Sequence, residues 1–406
     1  MKFQRIMAII FCAALMLSAT ACHSIHSDIP DSATQKSTLS VSSSLGSETN
    51  SAASSANIGQ WIEKASMSTP RYAFGAEKLN GKIYVVGGAG KDGVTNSVEE
   101  YDVKTDRWSI KSPMPTSRSD LQTVLLNGKI YAIGGNNGMQ SSPAVERYDP
   151  AANKWMLLPS LKQSREYFKA VVLDGKIYVF GGSDEGTIVS SVEEYNSSTN
   201  TWTEKTPMPS PKMHFQTEIV GGKVYVIGGL SPVDGVGPAV NTTSVEVYDP
   251  VKNKWTKKSP MKTPRFSFQT KIVGGKIYSI GGVNDKANAL SSVEEYDPST
   301  DRWLSKKDMN LARNWFQTVV VDGKIIAIGG GKKAGDYSRS NFLSSVEEYN
   351  PKTNTWTEKA PLLTPRGWFQ SAIVNDQLYV LGGTEGISNN KGNEPGLARL
   401  ETYHYQ

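Results

Sequence analysis

Five side chains of different chemistry stand at one recurring position: Asp120, Tyr167, His214, Trp315 and Trp368. Each lies two residues after a basic residue (Arg118, Arg165, Lys212, Arg313 and Arg366), and Ala73 and Ser267 fill the same position after Arg71 and Arg265. Trp315 and Trp368 have flat faces suited to stacking on a sugar ring or a protein side chain. The alternative is that they fill space beneath neighbouring loops. Asp120, Tyr167 and His214 are the polar candidates for ligand contact. Two residues further on, Gln122, Gln216, Gln269, Gln317 and Gln370 recur, which reads as a structural row. No catalytic group stands out. Cys12 and Cys22 are the only cysteines, and His23, His26, His214 and His404 have no metal-ligand spacing, so thiol catalysis, a metal site and a cofactor are not expected. Asp234, Asp336, Glu385 and Glu394 offer loop carboxylates without the mutual geometry an acid/base pair needs.

The elements that position these residues repeat. Tryptophans at 61, 108, 155, 202, 255, 303 and 356 are each followed, 26 residues later, by a Gly-Gly doublet, and ten residues later by a basic residue. Before each doublet runs a β-branched and aromatic segment such as Lys82-Ile83-Tyr84-Val85-Val86. Ahead of that segment sits a two-residue turn, Asn80-Gly81 and its copies, with only Asn375-Asp376 lacking glycine. A third strand carries Ser97-Val98-Glu99-Glu100-Tyr101 and its copies, and the next tryptophan marks a fourth. The first glutamate of that strand recurs in every unit and reads as the partner of the basic row. The second, as in Glu100, Glu194, Glu295 and Glu348, is expected on a solvated face. The fold expected is all-β: a seven-bladed β-propeller of four-stranded antiparallel blades, closed by the N-terminal strand at Trp61 completing the last blade. Between strands two and three the loops measure 9, 9, 9, 15, 10, 15 and 16 residues, so the insertions at 230–244, 331–345 and 384–399 crown one face.

Gly-Gly, then Tyr, then Trp seven residues on, then Met or Leu and Arg, resembles the kelch repeat, over residues 61–406. The resemblance implies a propeller but no single function, because kelch propellers serve diverse roles. A non-enzymatic binding module for a polysaccharide or protein needs no catalytic group and is the preferred reading. A copper radical oxidase resembling galactose oxidase would need a cysteine cross-linked to tyrosine, and the body has no cysteine. A mutarotase resembling the sialic-acid enzyme is the enzymatic alternative, with Glu394–Arg399 loosely similar to a Glu-to-Arg stretch of that family. A scaffold in an envelope assembly is the third. A monomer is expected.

Outside the repeats the chain carries an address. Lys2 and Arg5 precede the apolar run Ile6–Leu17 and small residues to Ala21, the layout of a signal peptide over 1–21. The stretch resembles a bacterial lipobox, implying lipidation of Cys22 and a membrane anchor, although Ala19 stands where Leu is usual; a secreted product is the alternative. Residues 22–57 are rich in Ser and Thr and read as a disordered tether, leaving 58–406 as the propeller. The expected location is the cell surface or periplasm. A net charge of +5 spread over 406 residues gives no support to nucleic-acid binding.

Overall fold

The computed structural model describes residues 59–235, 237–386 and 396–405. Signal peptide, Cys22, tether and Glu394 therefore lie outside the described residues. Seven four-stranded antiparallel sheets form, six of them ordered as in the chain from an innermost strand outward. The innermost strands are Gly75–Leu79, Gln122–Leu126, Lys169–Leu173, Gln216–Val220, Gln269–Val273, Gln317–Val321 and Gln370–Val374, and they define blades 1 to 7. The turn from first to second strand takes positive φ at both central residues in every blade, the type I′ signature. Asn375 and Asp376 hold it at 49° and 59° without glycine, as short Asx side chains tolerate.

The seventh sheet is completed from the other end of the chain. Trp61–Lys64 pairs antiparallel with Leu400–His404, with Trp61 opposite Tyr403 and Lys64 opposite Leu400. Apolar clusters straddle neighbouring blades rather than filling single ones. Tyr131 and Ile133 of blade 2 pack with Phe168, Ile177 and Val179 of blade 3. At the seam, Phe74, Ile83 and Val85 of blade 1 pack with Tyr379, Leu381 and Leu400 of blade 7.

The repeated residues are the joints of this ring. The second glycine of each doublet donates its N–H to the carbonyl of the next blade's basic residue: Gly88 to Arg118 at 2.8 Å, Gly135 to Arg165 at 2.9 Å, and so round to Gly383 and Arg71 at 2.9 Å. A Cβ on Gly135 would collide with the Ser119 carbonyl, so a side chain is excluded there. Each basic residue is buried and paired with the first glutamate of its blade's third strand, as Arg118 with Glu146 at 2.8 Å and Arg265 with Glu294 at 2.8 Å. The same guanidiniums donate to carbonyls of both flanking turns, as Arg118 does to Gly134 and Ala144. Tryptophan indoles donate across blades, Trp155 to Ser112 and Trp61 to Ala360.

One expectation is corrected. Glu100, Glu194 and Glu348 are buried, not solvated, because lysines from the strands on either side close over them. Lys82 and Lys111 meet Glu100 at 2.6 and 3.2 Å, and Lys176 and Lys205 meet Glu194 at 2.9 and 3.1 Å.

Candidate functional site

Each blade enters its innermost strand through one residue in the left-handed backbone region. Ala73, Asp120, Tyr167, His214, Ser267, Trp315 and Trp368 all have φ between 50° and 56°. For Tyr, His and Trp this conformation is costly, about 1–2 kcal/mol per residue. The reason is geometric. The residue just before each makes a bridge to the residue after the Gly-Gly doublet, as Ser119 with Asn136 and Glu166 with Ser183, and the chain must then turn sharply down the channel wall. Neighbouring turns are stitched tangentially: Asp120 N–H donates to Ala73 O at 2.9 Å, His214 to Tyr167 at 3.1 Å, Trp368 to Trp315 at 3.2 Å and Ala73 to Trp368 at 3.3 Å. The seven side chains therefore rim one channel mouth.

The rim has a polar arc and an aromatic arc. Asp120, Tyr167, His214 and Ser267 line a cavity of about 190 Å³ with Lys169, Gln122, Gln216 and Gln370. Tyr167 and His214 stack with centroids 4.2 Å apart and rings inclined by 25°. Burial pushes the Asp120 carboxyl up to about 6 against the hydroxyl of Ser119. Glu166, one residue before the rim, is buried and accepts from Asn136 at 2.9 Å; burial pushes it up to about 7, and Asp120 nearby adds to the shift. Burial, then the Lys169 charge, hold His214 down to about 4, so its imidazole is neutral at pH 7. Lys169 is itself held down to about 8, by burial and then Lys271, with Glu218 opposing. Asp120 and the neutral imidazole of His214 line the cavity, whereas Glu166 lies buried behind it against Asn136.

On the aromatic arc Trp315 and Trp368 lie 4.4 Å apart at 41°. Tyr337, from the long loop of blade 6, stacks on both, at 5.8 Å and 12° from Trp315 and 5.6 Å and 30° from Trp368. Phe342 of the same loop meets the edge of Trp368. Asn341 braces that loop, donating to Lys333 O and Asp336 O and accepting from Lys333 N–H. The structure thus gathers Asp120, Tyr167 and His214 in one cavity and pairs Trp315 with Trp368. Glu166, Lys169 and Tyr337 were missed. Lys169 had a visible signal, since it replaces Gln in a recurring row. That row is structural: Gln216, Gln269, Gln317 and Gln370 donate to Phe268, Phe316, Phe369 and Phe74 carbonyls of the next blade, at 2.5 to 3.0 Å. Asp234, Asp336 and Glu385 do not line the mouth cavity; Glu385 pairs with Arg339 at the surface. A second cavity of about 640 Å³ opens between blades 2 and 3, bordered by Gln140, Gln163, Asp184, Glu185 and Glu204.

Comparison with known proteins settles the family. The family described as the KLHDC2/KLHL20/DRC7 Kelch-repeats domain matches residues 76–282 and 124–330, and the Kelch motif matches 316–363. The chain belongs to the kelch-repeat family. Among curated relatives, this kelch propeller is 50% identical to the influenza virus NS1A-binding protein of Homo sapiens over 56 residues, 14% of this chain and 9% of the relative. It is 46% identical to Kelch-like protein 7 of Rattus norvegicus over 159 residues, 39% of this chain and 26% of that one. The match therefore spans about a quarter or less of the relatives' lengths. Two solved structures share the propeller fold. One is titled "Structure of YjhT" (TM-score 0.56, 16% identity, 73% of this chain and 99% of that one). The other is a fungal alcohol oxidase of the AA5 family in complex with copper (TM-score 0.69, 20% identity, 86% and 77%). At these identities the likeness is one of fold. Among the described residues of this kelch propeller there is no group of three or more His, Cys, Asp or Glu that could hold a metal ion.

Proposed function

We propose that this kelch propeller is a binding module that takes a small polar ligand, a saccharide, at the channel mouth of its long-loop face. The observation that carries the reading is the rim. Seven equivalent strained positions converge there, and five of them carry Asp120, Tyr167, His214, Trp315 and Trp368 where a repeat would need only one small residue. Aromatic faces beside hydrogen-bonding groups are what a sugar ring with apolar faces and polar edges requires. The test is thermal stability of the full chain against a panel of neutral and acidic sugars, with Trp315→Ala/Trp368→Ala in parallel. A sugar that stabilises the parent at 100 times its dissociation constant adds about 2.7 kcal/mol, and the double variant is expected to lose that gain. No response to any sugar would overturn the reading.

Two further readings have support. A protein ligand or scaffold role fits the kelch relatives, one of which is named for binding NS1A. A mutarotase would draw on Asp120, which lines the mouth cavity, as its acid or base; an assay of anomer exchange on a bound sugar decides it. We also take the chain to be exported and tethered through a lipid on Cys22. The mass of the protein from cells expressing the parent and Cys22→Ala tests this: a diacylglyceryl increment is expected only in the parent.

A further inference from the structure

The two arcs of the mouth do not share one cavity. The polar arc borders a space of about 190 Å³ that reaches neither Trp315 nor Trp368. That is small beside the roughly 300–1,000 Å³ of ordinary ligand sites. On the aromatic arc the space is already taken. Tyr337 of the blade 6 loop lies over both indoles, 5.8 Å and 12° from Trp315 and 5.6 Å and 30° from Trp368. Tyr72 and Phe342 meet Trp368 as well, at 6.0 and 6.2 Å. A ring stacked on an indole holds the face that a sugar would use.

The loop that carries Tyr337 is braced from within. Buried Asn341 ties Lys333 to Asp336, the Lys332 ammonium donates to Ser340 O at 2.8 Å, and Asp336 accepts from the Ser338 N–H at 2.9 Å. At the base Gly331 bridges to Asn314 and to Phe342. Outward, Lys333 bridges to Asn288, the Ala334 N–H lies 3.3 Å from Ala287 O, and Arg339 pairs with Glu385 of the blade 7 loop. That ion pair is exposed, which makes it a weak tie in water. Firm internal bonds with weak outward ones let the tip move as a unit about its base.

We infer that Tyr337 is a plug: in the free protein it occupies the stacking faces of Trp315 and Trp368, and a saccharide binds by displacing it, which joins the aromatic arc to the polar cavity in one site. The inference rests on the saccharide reading for its ligand, but the plug itself can be tested without one. A plug lowers the apparent affinity by the fraction of molecules in which it stands open.

The test uses the full chain as the parent, Tyr337→Ala and Arg339→Ala, each checked for cooperative melting. Without ligand, oxidative labelling of the indoles, resolved by residue in the mass spectrometer, should reach Trp315 and Trp368 about tenfold faster in Tyr337→Ala than in the parent, with Arg339→Ala between them. In calorimetric titration with the sugar panel, Tyr337→Ala should bind about tenfold more tightly than the parent. Equal labelling in all three proteins would overturn the plug, and so would equal or weaker sugar binding in Tyr337→Ala, which would make Tyr337 a fixed wall. The expected labelling in proteins that take no sugar would support the plug and remove the saccharide reading instead.

Discussion

Blade 4 shows how much one side chain of the repeat matters. There Lys212 replaces the row's arginine and reaches Glu246 only at 3.6 Å, donating instead to Ser210 and Ser244 hydroxyls. Glu246 Oε2 is buried with no partner. In blade 1 the equivalent Glu99 accepts from the N–H groups of Ser68 and Thr69, but blade 4 has Pro209 at the first of these positions, which has no N–H to give. Lys212→Arg should therefore stabilise the protein by about 1 kcal/mol in a denaturant melt; a loss of stability would show that the lysine is better accommodated than its pairing implies. Glu166 carries the opposite liability. Its folded pKa is raised above the unfolded value, so its contribution is fully present below about pH 4.5 and is lost as pH rises through about 7. Glu166→Gln should flatten this, making the variant more stable relative to parent at pH 8 than at pH 5, by about 2 kcal/mol. His214 works in the other sense, destabilising as pH falls from its ordinary range towards about 4, and the Gln substitution leaves that limb in place.

At the scale of elements, identical residue types do different work in turn and joint. Gly128 sits in a hairpin turn at φ 70° with open space where a methyl would go, whereas Gly135 faces the Ser119 carbonyl at the start of its own blade. Gly128→Ala should cost only the left-handed strain, about 1 kcal/mol, and Gly135→Ala about 3 kcal/mol or more, read from chemical melts. These elements were legible beforehand because a blade is local: turn, doublet, glutamate and tryptophan recur at fixed spacing, and each marks its own strand. The rim was half legible. Positions that break a repeat can be seen in the sequence, which is how Asp120, Tyr167, His214, Trp315 and Trp368 came forward. What could not be seen is where a 15-residue loop lays its aromatic, or that Lys169 lines the same cavity as Asp120 and His214. The burial of Glu100 failed for the same reason: alternation names a face of the sheet, while lysines from two adjacent strands decide whether water reaches it.

For the whole molecule the ring has one non-covalent seam, where Trp61–Lys64 completes blade 7. Hydrogen exchange should find amides of the strands around Tyr403 and Trp61 opening before those of blades 3 to 5, and Trp61→Ala should widen the gap; uniform opening would argue against a seam. The ring also carries the reason we propose the mouth as the binding site. The repeated tryptophans and Gly-Gly doublets join one blade to the next, whereas the unrepeated Asp120, Tyr167 and His214 line the cavity at the channel mouth. The measurement that tests this most directly is calorimetric binding of a saccharide panel to the parent and to Tyr167→Ala/His214→Ala, both checked for cooperative melting. We predict a sugar that binds the parent and is weakened at least tenfold in the variant. Unchanged affinity in a folded variant, or a panel without any binder, would contradict it.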